Sequence, residues 1–175
     1  MTDPSTVPAS SGDYQINLTT ESARRFREVM RSFLDETGCS MGAVIERSGA
    51  VIVNEQRSPG NGVKLPRADA LGALAAGLFA STQMLSRQLG ESDAPEVICH
   101  GQDLHIFLAP LSDDFALLAV FPNRVAVGLI RFQAKKVAAG ITADLGQILR
   151  NVTVLAPASG APQTGERENL FLRYN

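Results

Sequence analysis

Tryptophan is absent from this chain, cysteine and histidine occur only twice each, and charged residues make up no more than 19 % of it. Two Cys and two His are too few, at these spacings, for a zinc site or a disulfide framework. Cys39 and Cys99 therefore read as small, reduced, apolar side chains in a cytoplasmic protein. Sparse charge beside 45 % hydrophobic residues excludes general disorder. The Lys and Arg residues are scattered and the net charge is −2, so no basic stripe is present for nucleic acid or an anionic membrane surface. No apolar run of about 18 residues occurs; the longest candidate, 71–85, carries Ser81, Thr82 and Gln83. Residues 1–18 are polar and rich in Pro and Ser, without the basic start and apolar run of a secretory signal, and read as a disordered arm. Neither a Walker-type phosphate loop nor a dinucleotide fingerprint is present, and no cofactor is expected.

What is present is periodicity. Ala23, Phe26, Val29, Met30, Phe33 and Leu34 recur at three- and four-residue spacing, with Arg24, Arg25, Arg27 and Arg31 on the other face, which predicts a helix from about Thr20 to Gly38. Residues 41–46 and 50–54 are Val- and Ile-rich and flank Arg47-Ser48-Gly49, a hairpin composition. Pro66 suits the first turn of a long helix running to Leu89 and stopped by Gly90. Three further strands follow at 96–100, 104–109 and 115–121, separated by Gly101-Gln102-Asp103 and Ser112-Asp113-Asp114. A last helical stripe of Val127, Ile130, Ala134, Val137, Ile141, Leu145 and Ile148 predicts a helix from about 123 or 124 to Arg150. The expected fold is α+β in the order α-β-β-α-β-β-β-α, a five-stranded antiparallel sheet with helices on both faces. It spans residues 19–150, and 151–175 form a flexible tail.

Candidate chemistry is thin. Gly38-Cys39-Ser40-Met41-Gly42 satisfies G-x-S-x-G, but a nucleophile elbow needs strand, turn and helix in that order, and here a helix precedes Ser40 and a strand follows. His100 and His105 lie in strands beside a hairpin turn, and adjacent Cys99 and His100 point to opposite faces. Asp113-Asp114 reads as a solvated turn. No catalytic, cofactor-binding or metal-ligating residue is assigned.

The middle helix is different. Gly72, Ala76 and Ala80 fall at four-residue spacing with Ala73, Gly77 and Ser81 beside them, a strip that another backbone can approach closely. Leu71, Leu74, Leu78, Leu85 and Leu89 can form a separate stripe facing the sheet. Glycine inside a helix costs about 1 kcal/mol relative to alanine, so Gly72 and Gly77 point to close packing that offsets the loss.

Gly42-Ala43-Val44-Ile45-Glu46-Arg47-Ser48-Gly49-Ala50-Val51-Ile52 and Ala70-Leu71-Gly72-Ala73-Leu74-Ala75-Ala76-Gly77 resemble the roadblock/dynein-light-chain family. Phe121-Pro122-Asn123-Arg124-Val125-Ala126-Val127-Gly128-Leu129-Ile130-Arg131, followed by Lys135-Lys136, is similar to its MglB-like branch, as is a tail containing Asn169-Leu170-Phe171. The resemblance covers about 20–150. It implies a homodimer joined through sheet edges and middle helices, acting on a small Ras-like, MglA-like GTPase in cell polarity or gliding motility. Such a regulator stimulates GTP hydrolysis without an arginine finger, so no Arg here is expected to be catalytic and the chain is not itself an enzyme. The dimer interface is then expected at Leu71, Gly72, Ala73, Ala76, Gly77 and Ala80, and partner binding at Leu74, Leu78, Arg87, Leu170 and Phe171. The same fold also serves as a scaffold that tethers proteins without changing GTP turnover.

Overall fold

A computed structural model describes residues 14–15, 20–59, 64–91, 95–150 and 153–154. In chain order the elements are β1 (Tyr14–Gln15), α1 (Thr20–Thr37), β2 (Met41–Glu46), β3 (Val51–Gln56), α2 (Ala68–Leu89), β4 (Val97–His100), β5 (Leu104–Pro110), β6 (Phe115–Pro122), α3 (Val127–Arg150) and β7 (Thr153–Val154). Strands β2 to β6 form one antiparallel sheet in the order β3-β2-β6-β5-β4, the architecture that the periodicities predict. The pairing of β1 with β7 was not expected. Two residues meeting partners more than a hundred positions away leave no local pattern to read.

Strand β6 is buried along its whole length, and β2 nearly so. Both are central and covered on both faces, so apolar residues fill odd and even positions alike. Phe115, Leu117, Ala119 and Phe121 join Phe26, Met30, Phe33 and Leu34 of α1 and Ile130, Ala134, Val137 and Ile141 of α3 in one core. Ala116 and Leu118 meet Ala75 and Phe79 of α2 in a second, on the opposite side of the sheet. One helix therefore covers one face and two cover the other. Between Val44 and Ile45 the β2–β3 register shifts: Val53 pairs with Val44 and Val51 with Ile45, so Ile52 is the extra residue of a β-bulge.

Helix ends depart from expectation by a few residues. Pro66 lies outside α2, whose N-cap is Arg67, with no side-chain cap. The C-terminal end is a Schellman closure, with Gly90 N–H donating to Arg87 O and Glu91 N–H to Ser86 O. Helix α3 begins at Val127 rather than 123 or 124 because Pro122–Val125 form a turn, Val125 N–H donating to Pro122 O at 2.9 Å. Asn123 ties that turn to the β4–β5 hairpin, its N–H donating to Asp103 O and its Nδ2 to Gln102 O. Across the outer surface of α1 and α3, Glu36 accepts hydrogen bonds from Ser32, Gln133 and Lys136. The Ser32 hydroxyl first, then Lys136, hold its carboxyl below the usual glutamate range. This small stabilisation is present above the ordinary glutamate pKa and is lost as the pH falls through the lowered one.

Candidate partner-binding face of α2

The G-x-S-x-G run is built for packing. Gly38 ends α1 at φ +74°, and a Cβ on Gly42 would lie 2.8 Å from Leu34 Cδ1 of the helix crossing above it. Ser40 between them is buried, its N–H donating to Val120 O and its carbonyl accepting from Arg57 N–H, as a residue continuing the sheet ladder does. His100 and His105 face each other across the β4–β5 hairpin with ring centroids 4.6 Å apart, edge to face, and His105 packs in the same manner on Phe121. No group of three or more potential metal ligands exists among the described residues, and no described helix is long and apolar enough to cross a membrane.

The two cysteines occupy opposite environments. Burial pushes the Cys39 thiol up to about 11, against a small lowering by the Thr37 hydroxyl, whereas Cys99 is exposed. The reactive species is the thiolate. The native chain should consume one equivalent of iodoacetamide at pH 8, at Cys99, and the second only after denaturation. Rapid uptake of two equivalents would show that Cys39 is not enclosed.

Helix α2 carries the larger group of exposed apolar side chains among the described residues. Its sheet-facing side consists of Ala68, Gly72, Ala75, Ala76, Phe79, Thr82, Gln83 and Ser86, small or apolar as far as Phe79 and polar beyond it. Gly72 fits over the β2–β3 hairpin: a Cβ there would stand 2.8 Å from Gly49 O and 2.9 Å from Val51 Cγ2. Gly49, at φ +95°, is matched to it, since its own Cβ would meet Ala73 Cα at 2.9 Å. Further along, Gln83 Nε2 donates to Asp113 O in the β5–β6 turn and Thr82 Oγ1 to Phe79 O, so these two buried side chains have partners within the chain. The outward side carries Leu74, Met84, Leu85 and Leu89, each between 62 and 79 % exposed.

This corrects the expected division of the helix. Leu85 and Leu89 do not face the sheet, and neither does Leu74; only Leu71 and Leu78 are partly buried against the cores beneath. Gly72 and Ala76, expected at a dimer contact, are enclosed by the chain's own sheet because the small residues let α2 settle directly on the hairpin. Ala73, Gly77 and Ala80 remain on the exposed side, as do Leu74 and Arg87. Nothing lies within 4 Å of where a Gly77 Cβ would be. Leu170 and Phe171 fall outside the described residues. Sequence reasoning missed Met84 altogether. The signal was Phe79: the aromatic fixes the buried phase of the helix, and 72, 75, 76, 82, 83 and 86 follow from it.

The family model for the Roadblock/LC7 domain matches residues 26–121, more than half of the chain. Among solved structures, an MglB with a tetrameric arrangement superposes with a TM-score of 0.68 at 25 % identity, covering 75 % of this chain and 95 % of that one. The gliding protein MglB from Thermus thermophilus gives 0.67 at 25 % identity, over 74 % and 95 %. Myxococcus xanthus MglB shares the fold at 18 % identity, with a TM-score of 0.64 over 75 % and 95 %. No curated protein matches the sequence.

Proposed function

The chain belongs to the Roadblock/LC7 family, and from that premise we propose that it is an MglB-like homodimer that binds a small Ras-like, MglA-type GTPase and stimulates its GTP hydrolysis, in cell polarity or gliding motility. The observation that carries the reading is the outward face of α2, where four large apolar side chains stand exposed on a helix whose buried side is partly polar. Large apolar side chains gathered in this way on one exposed helix face support an interface reading. Similarity to an MglB with a tetrameric arrangement supports self-association, and on this reading the same side of the sheet also takes the GTPase.

Of the interface residues drawn from the sequence, Leu71, Ala73, Gly77 and Ala80 are the ones available to a second copy, with Leu74, Leu78 and Arg87 for the GTPase. Met84, Leu85 and Leu89 join the surface offered to a second copy, and Leu74, beside Ala73, belongs to that surface as well. Residues 19–150 form the regulatory domain on this reading, and 151–175 a tail in which Leu170 and Phe171 assist binding.

The regulator acts by differential affinity. A dimer surface that prefers the hydrolysis-competent arrangement of the GTPase shifts the population toward it and lowers the barrier, with no residue of its own in the chemistry. GTP hydrolysis by the cognate small GTPase, measured with and without this protein and with a chain ending at Val154, tests the proposal. Acceleration by the full chain supports it, and loss of acceleration on truncation assigns the tail its part. Binding of equal strength to the GTP and GDP states, without acceleration, replaces it with a scaffold role.

A further inference from the structure

On the side of the sheet opposite α2, the outer surface of α3 has a smaller apolar patch. Phe132 is 57 % and Leu129 39 % exposed, and Phe132 is the one large aromatic so exposed among the described residues. Lys136 Nζ stands over the Phe132 ring at 4.8 Å from its centroid and also pairs with Glu36 at 3.3 Å. The neighbouring Lys135 makes no ion pair among the described residues. Toward the C-terminal end of the helix the exposed line continues through Ala139 and Thr142, side chains too small to obstruct a segment lying along it.

We propose that this patch is the docking site of the chain's own C-terminal segment, Leu170-Phe171-Leu172, which holds the tail on its own domain. The pairing of Thr153–Val154 with Tyr14–Gln15 fixes where the tail departs, three residues beyond the end of α3. From Arg150 back to Phe132 is roughly 27 Å along the helix at 1.5 Å per residue. The Ala/Pro/Gly-rich stretch between Val154 and Leu170 can reach at most about 50 Å, so the site lies within its range.

The order of charges agrees. A tail returning along α3 brings Glu166 and Glu168, which flank Arg167, to the level of Lys135 and Lys136 before Leu170 and Phe171 reach Phe132 and Leu129. Opposite charges thus set the register and the apolar residues close the contact. Docking is a property of the chain alone. Its consequence rests on the function proposed above: a partner that needs the tail meets it mostly occupied, and if docked about nine-tenths of the time its apparent affinity falls about tenfold.

The test uses the full-length protein without any GTPase, so its failure is distinct from failure of the functional reading. A nitroxide is placed at residue 173 through Arg173→Cys in a Cys99→Ser background, Cys39 being buried. Amide signals of 129–136 should lose most of their intensity while those of 84–89 keep theirs, and Phe132→Glu should restore the α3 signals. Broadening that is absent from α3, centred on α2 or unchanged by Phe132→Glu overturns the proposal. A mixture of spin-labelled chain with isotopically labelled, nitroxide-free chain should show no broadening; broadening there would place the tail on a second copy and overturn docking within one chain.

Discussion

A chain carrying Met84→Glu and Leu85→Glu is expected to sediment as a monomer, keep the far-ultraviolet spectrum of the native fold, and lose its ability to accelerate GTP hydrolysis by its partner. Both side chains are more than three-fifths exposed in the single chain, so their replacement leaves every core contact within the chain in place. Substitutions of that kind change folding free energy by about 0.5 kcal/mol or less. In an association through α2 the same changes put two carboxylates from each copy into an apolar contact. Burying Leu74, Met84, Leu85 and Leu89 from both partners supplies on the order of 10 kcal/mol, against an association cost of comparable size. Removing half of that gain and adding desolvated charge should weaken the dimer more than a hundredfold. Leu74→Glu, nearer the other end of the helix, serves as an independent second variant. Undiminished dimerisation in both would take the interface away from α2. A monomer that still accelerates hydrolysis would separate self-association from GTPase regulation.

How much of this surface could be read from the sequence depends on what fixed each element. The sheet was legible because β2 and β6 are continuous apolar runs and their turns carry Gly49 or the 112–114 polar cluster. The presence of α2 was legible too, from its length and its stop at Gly90. Its rotation was not. Leucines outnumber other large apolar residues on that helix, and the usual inference is that the leucine stripe is the buried one. Here the sheet selects the small side, because the Gly49 turn projects toward the helix and only Gly72 lets it in. The leucines are left for a partner, so local amphipathicity was subordinate to a contact between residues 23 positions apart. The histidine pair illustrates a different limit: strand alternation gives each side chain its face, but only the register places His100 directly opposite His105. The reversed context of the serine motif, helix before and strand after, was legible, while the packing reasons for its two glycines needed coordinates.

The hairpin contact that turns α2 also carries the largest expected effect on stability. Gly49→Ala should lower the unfolding free energy by about 3 kcal/mol: left-handed backbone costs a non-glycine residue roughly 1–2 kcal/mol, and overpacking a tight site costs about 1–3 kcal/mol. The added methyl would meet Ala73 Cα, a backbone atom with no rotamer through which to yield. For a chain of this size the thermal midpoint should fall by about 6–12 °C. Gly77→Ala, on the same helix but facing outward with open space around it, should instead gain about 0.5–1 kcal/mol from helix propensity. The two changes add the same atom, so their opposite signs in urea titrations would isolate the hairpin contact from any general effect of losing glycine. Gly77→Ala then separates fold from interface: if a second helix crosses at Ala73, Gly77 and Ala80, the more stable chain should dimerise more weakly, because the methyl pushes the two backbones apart. Equal or tighter dimerisation would move the crossing toward Met84 and Leu89, leaving Gly77 with no part in the interface.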